Sequence, residues 1–286
     1  MKKILLCAAL LAATVIASAT DVWEGEHAVD WSSTLKIDAD KFADMKLGDK
    51  LVIEFKDAAG EVIELHSDGG MLPGTRFAHS IFPDQSSAEV FATPAMLASL
   101  QTHGLEVCGK DFIATKIWYG DGKESIDANT VWSGFFWMDN WGTLEITKNS
   151  FAGVDWSKFT AIRFYSEAGR TDYVINVMTT WSNKLGDQTT MTMTNDYAEL
   201  SLSGIDMAAA LEGTDRLMVQ CNKEGGNPFN FTQIELVPDP MAVQSVSAQT
   251  EKGEEAIYTL SGVKVKEAKQ KGIYIINGEK TYFKPD

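Results

Sequence analysis

An internal duplication constrains this chain more than any other feature. Val22-Trp23-Glu24-Gly25 returns as Val131-Trp132-Ser133-Gly134. At the same spacing Leu35 and Ile37 fall on Leu144 and Ile146, Phe42 on Phe151, and Val52-Ile53-Glu54-Phe55 on Ala161-Ile162-Arg163-Phe164. Small insertions then shift the register. Val62-Ile63-Glu64-Leu65 matches Val174-Ile175-Asn176-Val177, Ala88-Glu89-Val90 matches Ala198-Glu199-Leu200, and Thr115-Lys116-Ile117 matches Thr232-Gln233-Ile234. A period near 110 residues means two copies of one domain, 21–124 and 130–238.

Each copy is built of short alternating segments such as Leu51-Val52-Ile53-Glu54-Phe55 and Leu105-Glu106-Val107, separated by Gly, Asp, Asn and Ser clusters. Many short strands in a domain of this size predict an antiparallel β-sandwich. One helical turn is expected in each copy, at Pro94 to Leu100 and at Ile205 to Leu211. Asp121 to Asn129 reads as a linker, and Pro238 through Thr250 as another. The fold class is therefore all-β: two tandem sandwiches and a small C-terminal β-hairpin domain at 250–286.

Met1 to Ala19 carries two lysines, an apolar run from Ile4 to Ile16 and the triplet Ala17-Ser18-Ala19, the pattern of a secretory signal peptide. No other stretch approaches the ~20 apolar residues of a membrane-spanning helix. The expected location is outside the cell or on its surface. A formal net charge of −15 argues against nucleic acid and anionic membranes as partners, because phosphates repel such a chain on approach. Only Cys108 and Cys221 lie beyond the leader, one in each copy. Two small buried thiols in separate cores is the simpler reading, with one bridge between the copies as the alternative.

Counting limits the catalytic readings. All four histidines, His27, His66, His79 and His103, belong to the first copy, so no histidine triad or histidine zinc site is shared by both. No H-E-x-x-H, G-x-S-x-G, phosphate-binding glycine loop or paired C-x-x-C is present. The 40 acidic residues allow a glycosidase pair but do not single one out.

Tryptophan is more informative, because all eight tryptophans lie in the two copies. A sugar ring packs its C–H face on an indole while its hydroxyls need polar groups at the edge. Duplication supplies an internal control: a tryptophan whose sister position is also large and apolar belongs to the shared core. Trp23 pairs with Trp132 and Trp156 with Leu47, and these three are assigned to packing. Trp137 falls on Ala28, Trp141 on Ser32, Trp31 on Asn140 and Trp181 on Gly69, so a shared core does not require them. Trp118, whose sister is Glu235, reads as an exposed strand residue. The candidate ligand contacts are Trp137, Asp139, Asn140 and Trp141 in one loop, with Trp181 and Asn183 after a later strand. In the first copy they are Trp31, His66, Arg76 and Phe77. The alternative is that these aromatics close the end of a small sandwich.

The tail, with Ile257-Tyr258-Thr259-Leu260-Ser261-Gly262-Val263-Lys264-Val265 and Lys271-Gly272-Ile273-Tyr274-Ile275-Ile276-Asn277-Gly278-Glu279-Lys280, resembles the C-terminal sorting domain of type IX secretion cargo. That resemblance implies export through the outer membrane, with the secretion machinery as a partner. The two copies resemble the jelly-roll carbohydrate-binding-module-like domains of secreted polysaccharide-utilisation proteins of Bacteroidota. This rests on V-W-x-G, an L-x-I strand after a tryptophan, Gly48 to Phe55 (G-D-K-L-V-I-E-F) and His103 to Gly109 (H-G-L-E-V-C-G). It implies a polysaccharide or oligosaccharide ligand, no catalytic cofactor and a structural calcium ion. The second copy departs from it, with Asp155-Trp156-Ser157-Lys158 where the first has Lys46-Leu47-Gly48-Asp49, and Thr214-Asp215-Arg216 where the first has Gly104. The functional expectation is non-catalytic polysaccharide binding with no catalytic residues. The alternatives are a glycoside hydrolase or lyase on the same scaffold, or an adhesin that binds protein.

Overall fold

In the first copy the chain doubles back on itself as one long ribbon. Its strands are β1 (Thr20–Val29), β2 (Leu35–Ile37), β3 (Lys50–Lys56), β4 (Val62–Ser67), β5 (Gly70–Met71), β6 (His79–Ser80), β7 (Ser87–Phe91), β8 (Leu105–Gly109) and β9 (Phe112–Gly120). The first pairs with the last, β2 with β8, β3 with β7, and β4 with β5 and β6, all antiparallel. Lateral pairing of β3 with β9 and β4 with β8 then rolls the ribbon into two sheets, β1-β9-β3-β7 and β2-β8-β4-β5. Nested pairing of this kind is the jelly roll. The computed structural model describes residues 19–59, 62–77, 79–81, 84–123, 125–138, 141–167, 174–185, 191–192, 196–221, 229–240, 257–259, 264–265, 272–276 and 279–283. The leader expected at Met1 to Ala19 lies outside the described residues up to position 18.

The second copy repeats the plan with β10 (Thr130–Met138), β11 (Thr143–Thr147), β12 (Phe159–Ser166), β13 (Val174–Thr180), β14 (Asn183–Lys184), β15 (Met191–Thr192), β16 (Tyr197–Ser201), β17 (Arg216–Cys221) and β18 (Phe229–Pro238). Its sheets run β10-β18-β12-β16 and β11-β17-β13-β14, with β15 beside β13. Buried apolar side chains form two clusters, one drawn from Val22 to Tyr119 and the other from Val131 to Leu236. Cys108 and Cys221 are buried thiols, one in each copy, and no disulfide joins them. In the tail β19 (Ile257–Thr259), β20 (Lys264–Val265), β21 (Gly272–Ile276) and β22 (Glu279–Phe283) make one antiparallel sheet, ordered β20-β19-β21-β22.

The V-W-x-G repeat has a local cause. β1 shifts register against β9 on either side of Trp23-Glu24, and β10 shifts against β18 at the matching residues Trp132-Ser133. At each bulge the indole folds over the glycine two residues on, so that a Cβ on Gly25 would stand 3.0 Å from Trp23, and one on Gly134 3.1 Å from Trp132. The glycine is there to admit the ring.

Helix α1 (Pro94–His103) is longer than the single turn expected, while α2 (Met207–Glu212) matches it closely. Thr93 and Asp206 cap them through their side chains. The segment read as a linker is instead packed. Ile126 is buried, Lys123 N donates to Gly48 O at 2.8 Å, and Gln233 Nε2 donates to Ser125 O at 3.1 Å. Elsewhere the first copy lays residues 75–77 along the β11 edge. Phe77 N donates to Glu145 O at 2.9 Å and Thr147 N to Thr75 O at 3.4 Å, while Gly74 N reaches Ser150 Oγ at 2.8 Å. Both copies therefore hold the connecting chain and each other.

Candidate functional site

Among the described residues six large apolar side chains are exposed: Trp31, Leu47, Phe135, Trp137, Trp141 and Trp181. Every tryptophan whose sister position is not large and apolar is in this group, apart from Trp118. The remaining four are packed. Trp132 is 3% exposed, Trp23 and Trp156 lie against the two cores, and Trp156 sits 5.7 Å from the Phe151 ring. Trp118 corrects the expectation of an exposed strand residue. It is half-buried, its Nε1 donates to Glu54 Oε1 at 2.7 Å, and Lys50 lies over its ring.

Register separates the exposed indoles into distinct places. In the sheet β11-β17-β13-β14, Thr143, Gln220 and Asn176 share one row, and Glu145, Met218 and Met178 the next row on that face. Trp141 precedes the first row, while Trp181 follows Thr180 at the opposite end. By this register Trp141 is level with Val174, about seven residues of strand from Trp181, roughly 23 Å, and two strands away across the sheet. One sugar ring cannot touch both.

Trp181, 65% exposed, stands in the turn between β13 and β14 beside an open groove of about 690 Å³. Lys148, Thr180, Glu212, Asp215 and Arg216 line the groove with it. Its wall is pinned: Thr214 Oγ1 donates to Thr179 O at 2.8 Å, and Lys148 N to Asp215 O at 2.9 Å. Arg216 donates to both Asp215 oxygens, at 2.7 and 3.0 Å, and to Glu145. These partners raise the guanidinium's pKa, Asp215 first, and Arg216 in turn holds the Asp215 carboxyl below the usual carboxylate range. The other face of the guanidinium stacks 3.7 Å from the Phe77 ring centroid, so a residue of the first copy buttresses a groove of the second. Asn183 spends its Nδ2 on Thr179 Oγ1 at 2.8 Å, which fixes the turn under Trp181.

The corresponding groove beside the first copy, about 570 Å³, is lined by Asp68, Gly69, Gly70, Pro73 and His103 of that copy and Asn149 of the second, among others, with no Phe, Tyr or Trp ring among its described residues. Asp68 and Gly69 both have positive φ, 53° and 72°, and make the tight Asp-Gly hairpin turn between β4 and β5. Where the first copy has a glycine chosen for its backbone, the second has an exposed indole.

Trp137 lies near the end of the edge strand β10, opposite Asn230, and is 58% exposed. Phe135, two residues earlier on the same side of the strand, is 71% exposed. Trp141 is 46% exposed and has φ 68°, a left-handed conformation that is costly for an aromatic residue. Gln220 Nε2 and Thr143 Oγ1 hold its carbonyl at 3.3 and 3.1 Å. In the same row Asn176 Oδ1 is buried with no hydrogen-bond partner among the described residues. Asp139 and Asn140 lie outside the described residues.

The first-copy candidates are not brought together. Trp31 is exposed in the β1–β2 turn, and His66 pairs with Glu64 at 2.9 Å on a sheet face. Arg76 and Phe77 turn toward the second copy. Among the described residues no three His, Cys, Asp or Glu side chains gather to hold a metal ion, so none is assigned to calcium. No helix among them is long and apolar enough to cross a membrane. Sequence reasoning missed Arg216, Asp215 and Lys148, which only the strand order brings to Trp181. It also missed Phe135, although its sister, Glu26, is polar and the tryptophan test would have found it.

No family model matches the chain, and no curated protein matches it. Among solved structures it is similar to SGBP-B of the mixed-linkage glucan utilization locus of Bacteroides ovatus, solved with a mixed-linkage heptasaccharide. The identity is 18% and the TM-score 0.32, over 35% of this chain and 28% of that one, so the likeness spans less than a third of that protein's length. A protein of Parabacteroides distasonis classed as secreted is similar at 8% identity and a TM-score of 0.21, over 78% of this chain and 88% of that one. At these scores the likenesses define no shared site.

Proposed function

We propose that this is a secreted, non-catalytic polysaccharide-binding protein whose principal site is the Trp181 groove of the second copy. One observation carries the reading. The four tryptophans that a common core does not need and that find no partner on a strand face, Trp31, Trp137, Trp141 and Trp181, are all left in solvent. Exposure of this kind costs solubility and gains nothing for the fold, whereas an indole beside fixed donors and acceptors is what a pyranose ring needs. In the groove Trp181 would take the C–H face of a ring, with Asp215, Glu212, Lys148 and Thr180 at hydroxyl height. Trp137 and Trp141, both exposed, would offer a second contact to a longer polymer. The leader and the C-terminal sheet fit export through a type IX route.

Affinity electrophoresis of the mature chain in gels containing single soluble polysaccharides tests this. Retardation by a glycan, lost in folded Trp181→Ala and with no new reducing ends or unsaturated products, is the expected result. Retardation that Trp181→Ala leaves intact would move the site elsewhere. Product release would make the protein an enzyme.

A further inference from the structure

We infer that a cleft between the two copies receives the carboxylate of a uronic acid residue, with Arg76 as its ion-pair partner and Phe135 under the sugar ring. This cleft is separate from the Trp181 groove and stands without it. Its floor is Ile63 and Leu65, one wall is Ala88 to Val90 of β7, and the other is Trp132 to Phe135 of β10, with Thr75 and Arg76 at its side. Both β7 and β10 are edge strands, so the cleft exists only because the copies dock.

Arg76 is the unusual component. A mostly buried guanidinium is normally matched by a carboxylate, because desolvating the charge is expensive. Among the described residues Arg76 makes no ion pair and no hydrogen bond; its one contact of this class is the Phe136 ring, 5.1 Å from the guanidinium carbon. Glu89, the acid on the same wall, is engaged by Lys50 at 3.5 Å. Ser133 Oγ is occupied by Lys123 and Thr232 O, and Thr75 Oγ1 donates to Leu72 O at 2.6 Å. Burial alone pushes the Arg76 pKa down, with no neighbouring charge to oppose it.

Size selects the ligand group. The enclosed space is about 50 Å³, room for a few water-sized groups at ~10–15 Å³ each. A carboxylate fits and a pyranose ring does not. The ring must remain at the mouth, where Phe135, 71% exposed, offers a flat apolar face. A planar carboxylate against a guanidinium in an apolar-floored cleft gives the paired, charge-assisted hydrogen bonds that Arg favours. The chain's net charge of −15 repels an anion at long range. Added salt screens that repulsion while leaving the buried pair largely unscreened. Affinity should therefore hold or rise from low to moderate salt.

The test is calorimetric titration of the full chain with oligosaccharides of glucuronic or galacturonic acid, their carboxyl-reduced neutral counterparts, acetate, and a short Asp/Glu peptide. Uronates should bind and the neutral counterparts should not. Arg76→Gln should weaken binding at least about tenfold, the scale of a lost charged hydrogen bond, and Arg76→Lys should recover only part of it. Phe135→Ala, at an exposed position that cannot threaten folding, should weaken uronate binding several-fold. Trp181→Ala should leave it unchanged, which keeps the two sites distinguishable. Equal binding of neutral and acidic sugars, uronate binding indifferent to folded Arg76→Gln, acetate as strong as the uronates, or preference for the peptide would each overturn the proposal.

Discussion

At the scale of single residues, the clearest conflict between fold and use is Trp141. An aromatic residue at φ 68° gives up roughly 1–2 kcal/mol that glycine would not, yet its ring is left half in solvent. Trp141→Gly is expected to raise stability by about 1 kcal/mol in urea denaturation while weakening glycan retardation. A loss of stability would mean that the indole serves packing. The V-W-x-G glycines give a second expectation. The Trp132 indole is buried and cannot yield, so Gly134→Ala should destabilise by about 1–3 kcal/mol. Gly25→Ala should cost less, because Trp23 is only partly buried; equal costs in matched unfolding curves would contradict this. The thiol of Cys108, pushed up to about 11 by burial and then by Glu106 and Glu64, should react slowly with a thiol reagent at pH 8 in the native state and quickly once unfolded. Much of this scale was legible in the sequence, because the duplication shows which tryptophans a shared core must keep. It failed for Trp118, where a carboxylate across the sheet, Glu54, recruits a ring that the sister position does not require.

At the scale of elements, the strand pattern and helical turns follow from alternation and from Gly, Pro, Thr and Asp punctuation. Pro94 after Thr93 starts α1, and Gly104 at φ 78° ends it where a Cβ would meet Ile37 O at 2.2 Å. Thr93→Ala should cost about 1 kcal/mol by loss of the cap. Gly104→Ala should cost distinctly more, since it adds a backbone clash to an unfavourable φ. Calorimetric melting of the two variants gives the ranking, and the reverse order would show that no close backbone approach constrains position 104. What alternation does not reveal is which strands lie side by side. The pairing of β11 with β17 and of β17 with β13 spans long stretches of chain, and it alone carries Arg216 and Asp215 to Trp181. No local signal in Thr214-Asp215-Arg216 announces a groove.

At the scale of the whole molecule, the two copies pack against each other where the duplication alone suggested tandem domains joined by a linker. The packed connection at Ile126, the 75–77 segment on the β11 edge and Phe77 beneath Arg216 all join the copies. Heating should therefore give a single transition for residues 20–240, with calorimetric and van't Hoff enthalpies in agreement; two resolved transitions would show that the copies melt independently. Docking also explains why Arg76 and Phe77, read as a surface of the first copy alone, face the second: an interface between copies leaves no periodic trace in either sequence. If the proposed function holds, the exposed indoles, with Trp181 foremost, are the ones that contact glycan. Its most direct test is to follow the indole N–H resonances of the eight tryptophans by NMR while titrating a glycan that retards the protein in a gel. Large shifts are expected at Trp181, smaller ones at Trp137 and Trp141, and still resonances for Trp23, Trp118, Trp132 and Trp156. Binding that leaves Trp181 unmoved would contradict this.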